Sequence, residues 1–120
     1  MEKDFVVSSA DTAAVLGSGL LPVLATPKVV ALVENTCFES IAEKLVTGES
    51  TVGVKMSIEH LKASAVGDTV TVSTTLVKEG KKSFTFTFEV RDQKTKAILA
   101  QGEHVRVRVI SEKFLADLNR

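Results

Sequence analysis

The sequence predicts an α+β domain in which a curved antiparallel sheet wraps around one long central helix. Three observations lead there. Apolar residues recur at helical spacing in one stretch, most of the chain beyond it alternates with a period of two, and close-set turn signals separate the alternating runs. The 120 residues suit one domain, 1–120, and are too few for a second core.

The helix is the best-marked element. From residue 27 to about 44, Val30, Val33, Cys37, Ile41 and Leu45 repeat at helical spacing. Pro27 suits the first helical position and Thr26 the cap before it, where a hydroxyl can satisfy an orphan N–H. Gly48 comes after the last periodic residue as a stop signal. Residues 11–26 read as a short helix or loop broken by Gly17-Ser18-Gly19.

Four strands come after the helix. Val52, Val54, Met56 and Ile58 alternate with Thr51, Gly53, Lys55 and Ser57, the pattern of a half-buried strand. After the turn Val66-Gly67-Asp68, the positions Val70, Val72, Thr74 and Leu76 alternate again. Lys78-Glu79-Gly80-Lys81 reads as a hairpin loop, and Phe84, Phe86, Phe88 and Val90 then share one face. A polar stretch over 92–96 leads to a last strand whose apolar face is Val105, Val107 and Val109. A sheet wrapped around one helix leaves edges and part of a face uncovered. Pairing with a second copy is the expected solution.

Charge and composition exclude several classes. The 15 basic and 15 acidic side chains cancel, so no basic excess points to nucleic acid or an anionic membrane. With 44% hydrophobic residues and no net charge, the chain is not disordered in type. Its longest apolar run, 20–25, falls far short of the ~20 residues of a membrane helix. Met1-Glu2-Lys3-Asp4 is too charged to open a secretory signal, and Cys37 has no second cysteine to pair with. The expectation is a soluble, cytoplasmic protein.

Few residues fit chemistry rather than packing. Glu34 falls among the helical apolar positions, where a carboxylate must find a partner or take up a proton. It is either the solvated edge of a narrow stripe or a catalytic carboxylate tuned by partial burial. His60 continues the alternation of Val52 to Ile58 and should face the helix, as a hydrogen-bonded core residue or as an acid–base partner to Glu34. Thr26 lies eight residues before Glu34, so both can line one side of the helix. Cys37 shares that side and reads as core rather than nucleophile. His104 and Arg106 lie opposite the last strand's valines, where Arg106 is either solvated or set to meet a phosphate or carboxyl-type group. His60 and His104, with no Asp/Glu cluster beside them, do not make a metal site. No Gly-rich phosphate loop, Ser-centred elbow or paired-cysteine motif occurs.

Read in order, Val23-Leu24-Ala25-Thr26, Leu32-Val33-Glu34, Ser50-Thr51-Val52-Gly53, Glu59-His60 and Gly102-Glu103-His104-Val105-Arg106 resemble hotdog-fold acyl-CoA thioesterases. The likeness is to the fluoroacetyl-CoA thioesterase-like subgroup and runs from about residue 5 to 114. It implies the hotdog fold and hydrolysis of an acyl-CoA to free acid and CoA. It assigns the Thr, Glu and His that act on the thioester to Thr26, Glu34 and His60. Gly53 matches the close-approach glycine beside the acyl group, and Arg106 the arginine after Gly-x-His, both as substrate-binding residues. The resemblance further implies no metal and no cofactor other than the CoA of the substrate, and a homodimer or a higher oligomer with active sites shared between chains. The fluoroacetate-specific relative carries phenylalanines ahead of the Thr, whereas Val15-Leu16-Gly17-Ser18-Gly19-Leu20-Leu21 has none. The expected pocket is therefore lined by leucines and blind to a single fluorine. Two rivals are a hotdog hydratase or dehydratase, whose usual Asp–His pair is missing here, and a non-catalytic acyl-CoA-binding protein.

Overall fold

The computed structural model describes residues 1–119. The chain forms β1 (Glu2–Val6), α1 (Ala13–Leu16), α2 (Thr26–Ser40), β2 (Glu49–His60), β3 (Thr69–Glu79), β4 (Ser83–Asp92), β5 (Ile98–Ile110) and α3 (Ser111–Ala116). One antiparallel sheet runs in the order β1-β3-β4-β5-β2 and curves around α2, so β1 and β2 are its edges.

The core lies between α2 and the concave face of the sheet. Val29, Val33, Cys37 and Ile41 of the helix region meet Val70, Val72, Phe84 and Phe86, all at most 1% exposed. Burying side chains of this size contributes about 1.5–3 kcal/mol each relative to exposure. The expected hairpin is present, with β3 running to Glu79 and β4 opening at Ser83. Phe84, Phe86 and Phe88 all point inward, as their alternation predicts.

Several expectations are corrected. Thr26 is the first helical residue rather than the cap, which is Ala25, and its hydroxyl makes no capping bond. The helix stops at Ser40, whose hydroxyl donates to the Cys37 carbonyl at 2.7 Å, and the chain then tightens into a 3₁₀ turn over Ala42–Lys44. Gly48, at φ +92°, serves the turn into β2 instead of ending the helix. A fifth strand, β1, pairs with β3. Its inward positions are Lys3 and Phe5, too polar a pair to announce a strand, but Lys3 is held by Asn35 and Glu39 of α2.

Two further corrections bear on function. In β2 the register shifts between Gly53 and Lys55, where Val54 is the extra residue of a bulge and stands 57% exposed. The inner face therefore reads Thr51, Gly53, then Met56, Ile58, His60, and Val52 pairs outward with Val107. In β5 the faces are the reverse of the hydropathic expectation. His104 and Arg106 are buried at 1% and 7% exposure, while Val105, Val107 and Val109 lie half-buried on the convex face. Arg106 is not a solvated strand residue.

Gly102 of β5 pairs with Phe88 on one side and with Ile58, the residue after Ser57, on the other. A Cβ there would collide with the Ser57 carbonyl and stand 3.0 Å from the Phe88 ring. Gly102→Ala should therefore destabilise the fold by about 1–3 kcal/mol or more, the usual cost of overpacking. Urea denaturation with an unchanged m-value checks it, and a change under about 0.5 kcal/mol would show that the strands yield without strain.

Candidate active site

The residues singled out from the sequence fall into two groups on the same side of α2. At the start of the helix, Thr26 Oγ1 lies 2.7 Å from His60 Nδ1 at the end of β2. From the first helical position the Thr26 hydroxyl reaches a residue 34 positions away. The His60 ring is partly buried, and burial holds its pKa below the ordinary histidine value against a smaller opposing pull from the Lys62 backbone. The neutral ring is thus favoured. Its Nε2 closes no hydrogen bond within the protein. Thr26 and His60 border a cavity of about 290 Å³, with Ala25, Pro27 and Leu61 in its wall. A neutral imidazole can transfer a proton or hydrogen-bond a carbonyl oxygen, here only after Nδ1 leaves Thr26 or the buried Nε2 is uncovered.

The second group centres on Glu34, about 12 Å further along the helix at 1.5 Å per residue. Its carboxylate is 39% exposed and lies 3.5 Å from Arg106 Nη1. The Arg106 guanidinium is itself anchored: Nε donates to Thr51 Oγ1 at 2.9 Å, Nη2 to the Thr51 carbonyl at 3.0 Å, and Nη1 also to His104 Nε2 at 3.1 Å. Gly53 closes this group from β2. A Cβ on Gly53 would stand 2.6 Å from Glu34 Oε2, 3.1 Å from His104 Cε1 and 3.4 Å from Arg106 Nη1. A side chain on Gly53 would press on that carboxylate and force it to shift.

Within one chain, then, the structure pairs Thr26 with His60 and gathers Glu34, Gly53 and Arg106, but it does not bring the three proposed catalytic side chains together. His104 belongs to the second group, and the sequence pattern assigns it no role. Its sequence signals are its place two residues before Arg106 on the same face and its membership of the Gly-x-His motif. Cys37 is fully buried, and burial pushes its thiol up to about 12, which removes it as a nucleophile. Leu16, Leu20 and Leu21 do not line the Thr26–His60 cavity and are 48%, 94% and 66% exposed. Among the described residues no group of three or more His, Cys, Asp or Glu is placed to hold a metal ion. No described helix is long and apolar enough to cross a membrane. A wider hollow of about 540 Å³ lies on the convex face among Ser57, Thr87, Glu89 and Gln101, away from both groups and without an acid–base pair.

A five-stranded antiparallel sheet curved around one helix is the hotdog fold, and solved structures share it along nearly the whole chain. A hot-dog-like protein from Thermanaerovibrio acidaminovorans superimposes with a TM-score of 0.88 at 22% identity, covering 98% of this chain and 86% of that one. A Thermus thermophilus thioesterase superfamily member does so at 0.90 and 22% identity, over 99% and 87% of the two chains. A substituted form of the fluoroacetyl-CoA-specific thioesterase FlK, in complex with fluoroacetate and CoA, gives 0.92 and 28% identity over 99% and 96%. Among curated protein sequences none matches. The sequence model of the fluoroacetyl-CoA-specific thioesterase family matches residues 7–112, and the chain belongs to that family of thioester hydrolases.

The two histidines yield a stability prediction. Both have folded-state pKa values lowered from 6.5, in each case chiefly by burial. Just below that pH the unfolded chain binds more protons than the folded one. Stability is therefore full above about 6.5 and is lost as pH falls toward the folded values. Asp11 and Asp92, lowered from 3.8, act only at more acid pH. Thermal midpoints should fall between about pH 7 and pH 5, and a flat profile would contradict the burial of neutral imidazoles.

Proposed function

We propose that this thioesterase hydrolyses a short apolar acyl-CoA with Glu34, His60 and Thr26 as its reacting and orienting groups. The observation that carries the reading is the half-exposed Glu34 carboxylate, anchored by a buried arginine and reachable across the bare Cα of Gly53. Glu34 attacks the thioester carbon or activates a water beside it. In either case the acyl C–S bond breaks, water supplies the oxygen of the released acid, and CoA leaves as the thiol. A thioester leaving group is good enough for both routes. Gly53 and Arg106 border the space for the acyl group.

His60, hydrogen-bonded to Thr26, orients or protonates and offsets charge developing on the carbonyl oxygen once its buried Nε2 is uncovered. That role requires His60 to meet a Glu34 about 12 Å away along the helix, which one chain does not arrange. The reading is therefore a homodimer built on the open edge of β2. Antiparallel pairing of two β2 strands with the twofold between Met56 and Ser57 sets Gly53, with Glu34 beside it, opposite His60 of the other copy.

Glu34→Ala and His60→Ala should each fold and lose about 10²–10⁴-fold in kcat. Thr26→Ala should lose less and cost little stability, because its hydroxyl caps nothing. Mixing the two inactive variants tests the shared site: random exchange should restore about a quarter of wild-type activity, since half the dimers then hold one intact site of two. No recovery after verified exchange would place each site within one chain. Wild-type turnover by a folded Glu34→Ala would sink the mechanism.

The segment ahead of Thr26 bears leucines and no phenylalanine, so it presents no rigid ring to read a fluorine. Free-thiol release from fluoroacetyl-, acetyl-, butyryl- and hexanoyl-CoA should show little preference for fluorine. It should rise with chain length, each accommodated methylene adding about 0.8 kcal/mol of binding. The same panel run beside an enoyl-CoA hydration assay separates hydrolysis from the hydratase alternative.

A further inference from the structure

His104 lies inside the wall of the second group, 1% exposed, and touches no open surface. Its two ring nitrogens have partners of opposite kind. Nδ1 faces the Lys55 carbonyl at 2.8 Å, which can only accept, and Nε2 faces Arg106 Nη1 at 3.1 Å, which can only donate. These partners require one state of the ring: neutral, with the proton on Nδ1 and the lone pair on Nε2 turned toward the arginine. A protonated ring would set an N–H against the Arg106 N–H and a second positive charge beside the guanidinium. The ring is also fixed against Phe86, centroids 6.4 Å apart and planes 24° from parallel.

The Lys55 carbonyl comes directly after the bulge in β2, so the irregularity that turns Gly53 and His60 to one face also holds His104. The chain of contacts runs from the bulge to His104, from His104 to Arg106 Nη1, and from the same Nη1 to Glu34 Oε2. Arg106 is tied at its other end by Thr51, so Nη1 is the part of the fork that sets where Glu34 rests. We propose that His104 is a positioning residue for the thioesterase reaction, aiming the Glu34 carboxylate through Arg106 as an obligate neutral acceptor. The inference rests on the reading of Glu34 as the reacting carboxylate. The other charged or titratable groups facing this cluster are Cys37, from the helix, and Glu34 itself.

Two substitutions separate aiming from mere packing. The amide of Gln reaches the place of Nε2 and can still accept from Arg106, whereas that of Asn reaches the place of Nδ1 and can still donate to Lys55. His104→Gln should keep kcat within about tenfold of wild type. His104→Asn should lose about 10²-fold in kcat with little change in KM, the scale expected when a reacting group is misplaced by about 1 Å. Equal activity of the two variants, or the reverse order, would overturn the proposal. Glu34→Ala is run alongside. If it keeps wild-type turnover, the reading of the site fails and takes this inference with it. If it is inactive while Gln and Asn at 104 behave alike, the site stands and the positioning role alone falls. A measurement on the unsubstituted protein guards against variants that do not fold. Nitrogen NMR of labelled histidines, assigned with His60→Gln, should show His104 protonated at Nδ1 and bare at Nε2, and the opposite tautomer would refute the arrangement.

Discussion

Arg106 is the constraint around which the site is built. A guanidinium keeps its charge at any physiological pH, so burying one on the concave face of a sheet requires nearly all its donors to be met. The structure meets them with Thr51 on the neighbouring strand, His104 on its own strand and Glu34 on the helix. The helix is thereby keyed to the middle of the sheet, as Lys3 and His60 key it to the two edge strands, and is not merely laid against it. The exposed Phe38 ring, one turn beyond Glu34, stands 5.8 Å from the guanidinium carbon and shields its remaining side. The same contacts that offset the buried charge leave one carboxylate half in solvent with its negative charge supported.

The bulge in β2 is the second dependence. In a strand of strict period two, Gly53 and His60 would lie on opposite faces. Inserting Val54 as an unpaired residue turns both toward α2, so the glycine that opens the Glu34 site and the histidine that completes the Thr26 pair can share one strand. Hydropathy alone does not reveal the shift, because Val54 looks like one more core position. What reveals it is pairing with β5, which is long-range information.

Legibility in the sequence divides along the same line between local and distant causes. The helix, the hairpin after Glu79 and the phenylalanine face rest on local periodicity and on side chains large enough to dominate their strand, and the structure contains all three. The orientation of β5 is misread from hydropathy because apolar content argues for valines inside, and the alternative needs partners 55 and 72 residues away, Thr51 and Glu34, to make a buried arginine tolerable. Thr26 is misplaced by one position for a related reason. The helix opens one residue early, with Ala25 as its cap, and the hydroxyl's partner is the distant His60 rather than a local N–H. Glu34 is legible as an anomaly, whereas its anchoring partner is not.

The segment between Thr12 and Leu24 leaves and rejoins the fold at one point. Those two residues form an isolated bridge, and Val23 makes another with Ala65. Everything between, including α1 and the three exposed leucines, is a loop hung from a clasp, while Glu34 and Thr26 ride on one helix whose pitch fixes their spacing. Substitutions in the loop therefore leave the spacing of Thr26 and Glu34 untouched. Changes in the loop and changes at the two helix positions are physically separable, because the two are joined mainly through the backbone around the clasp.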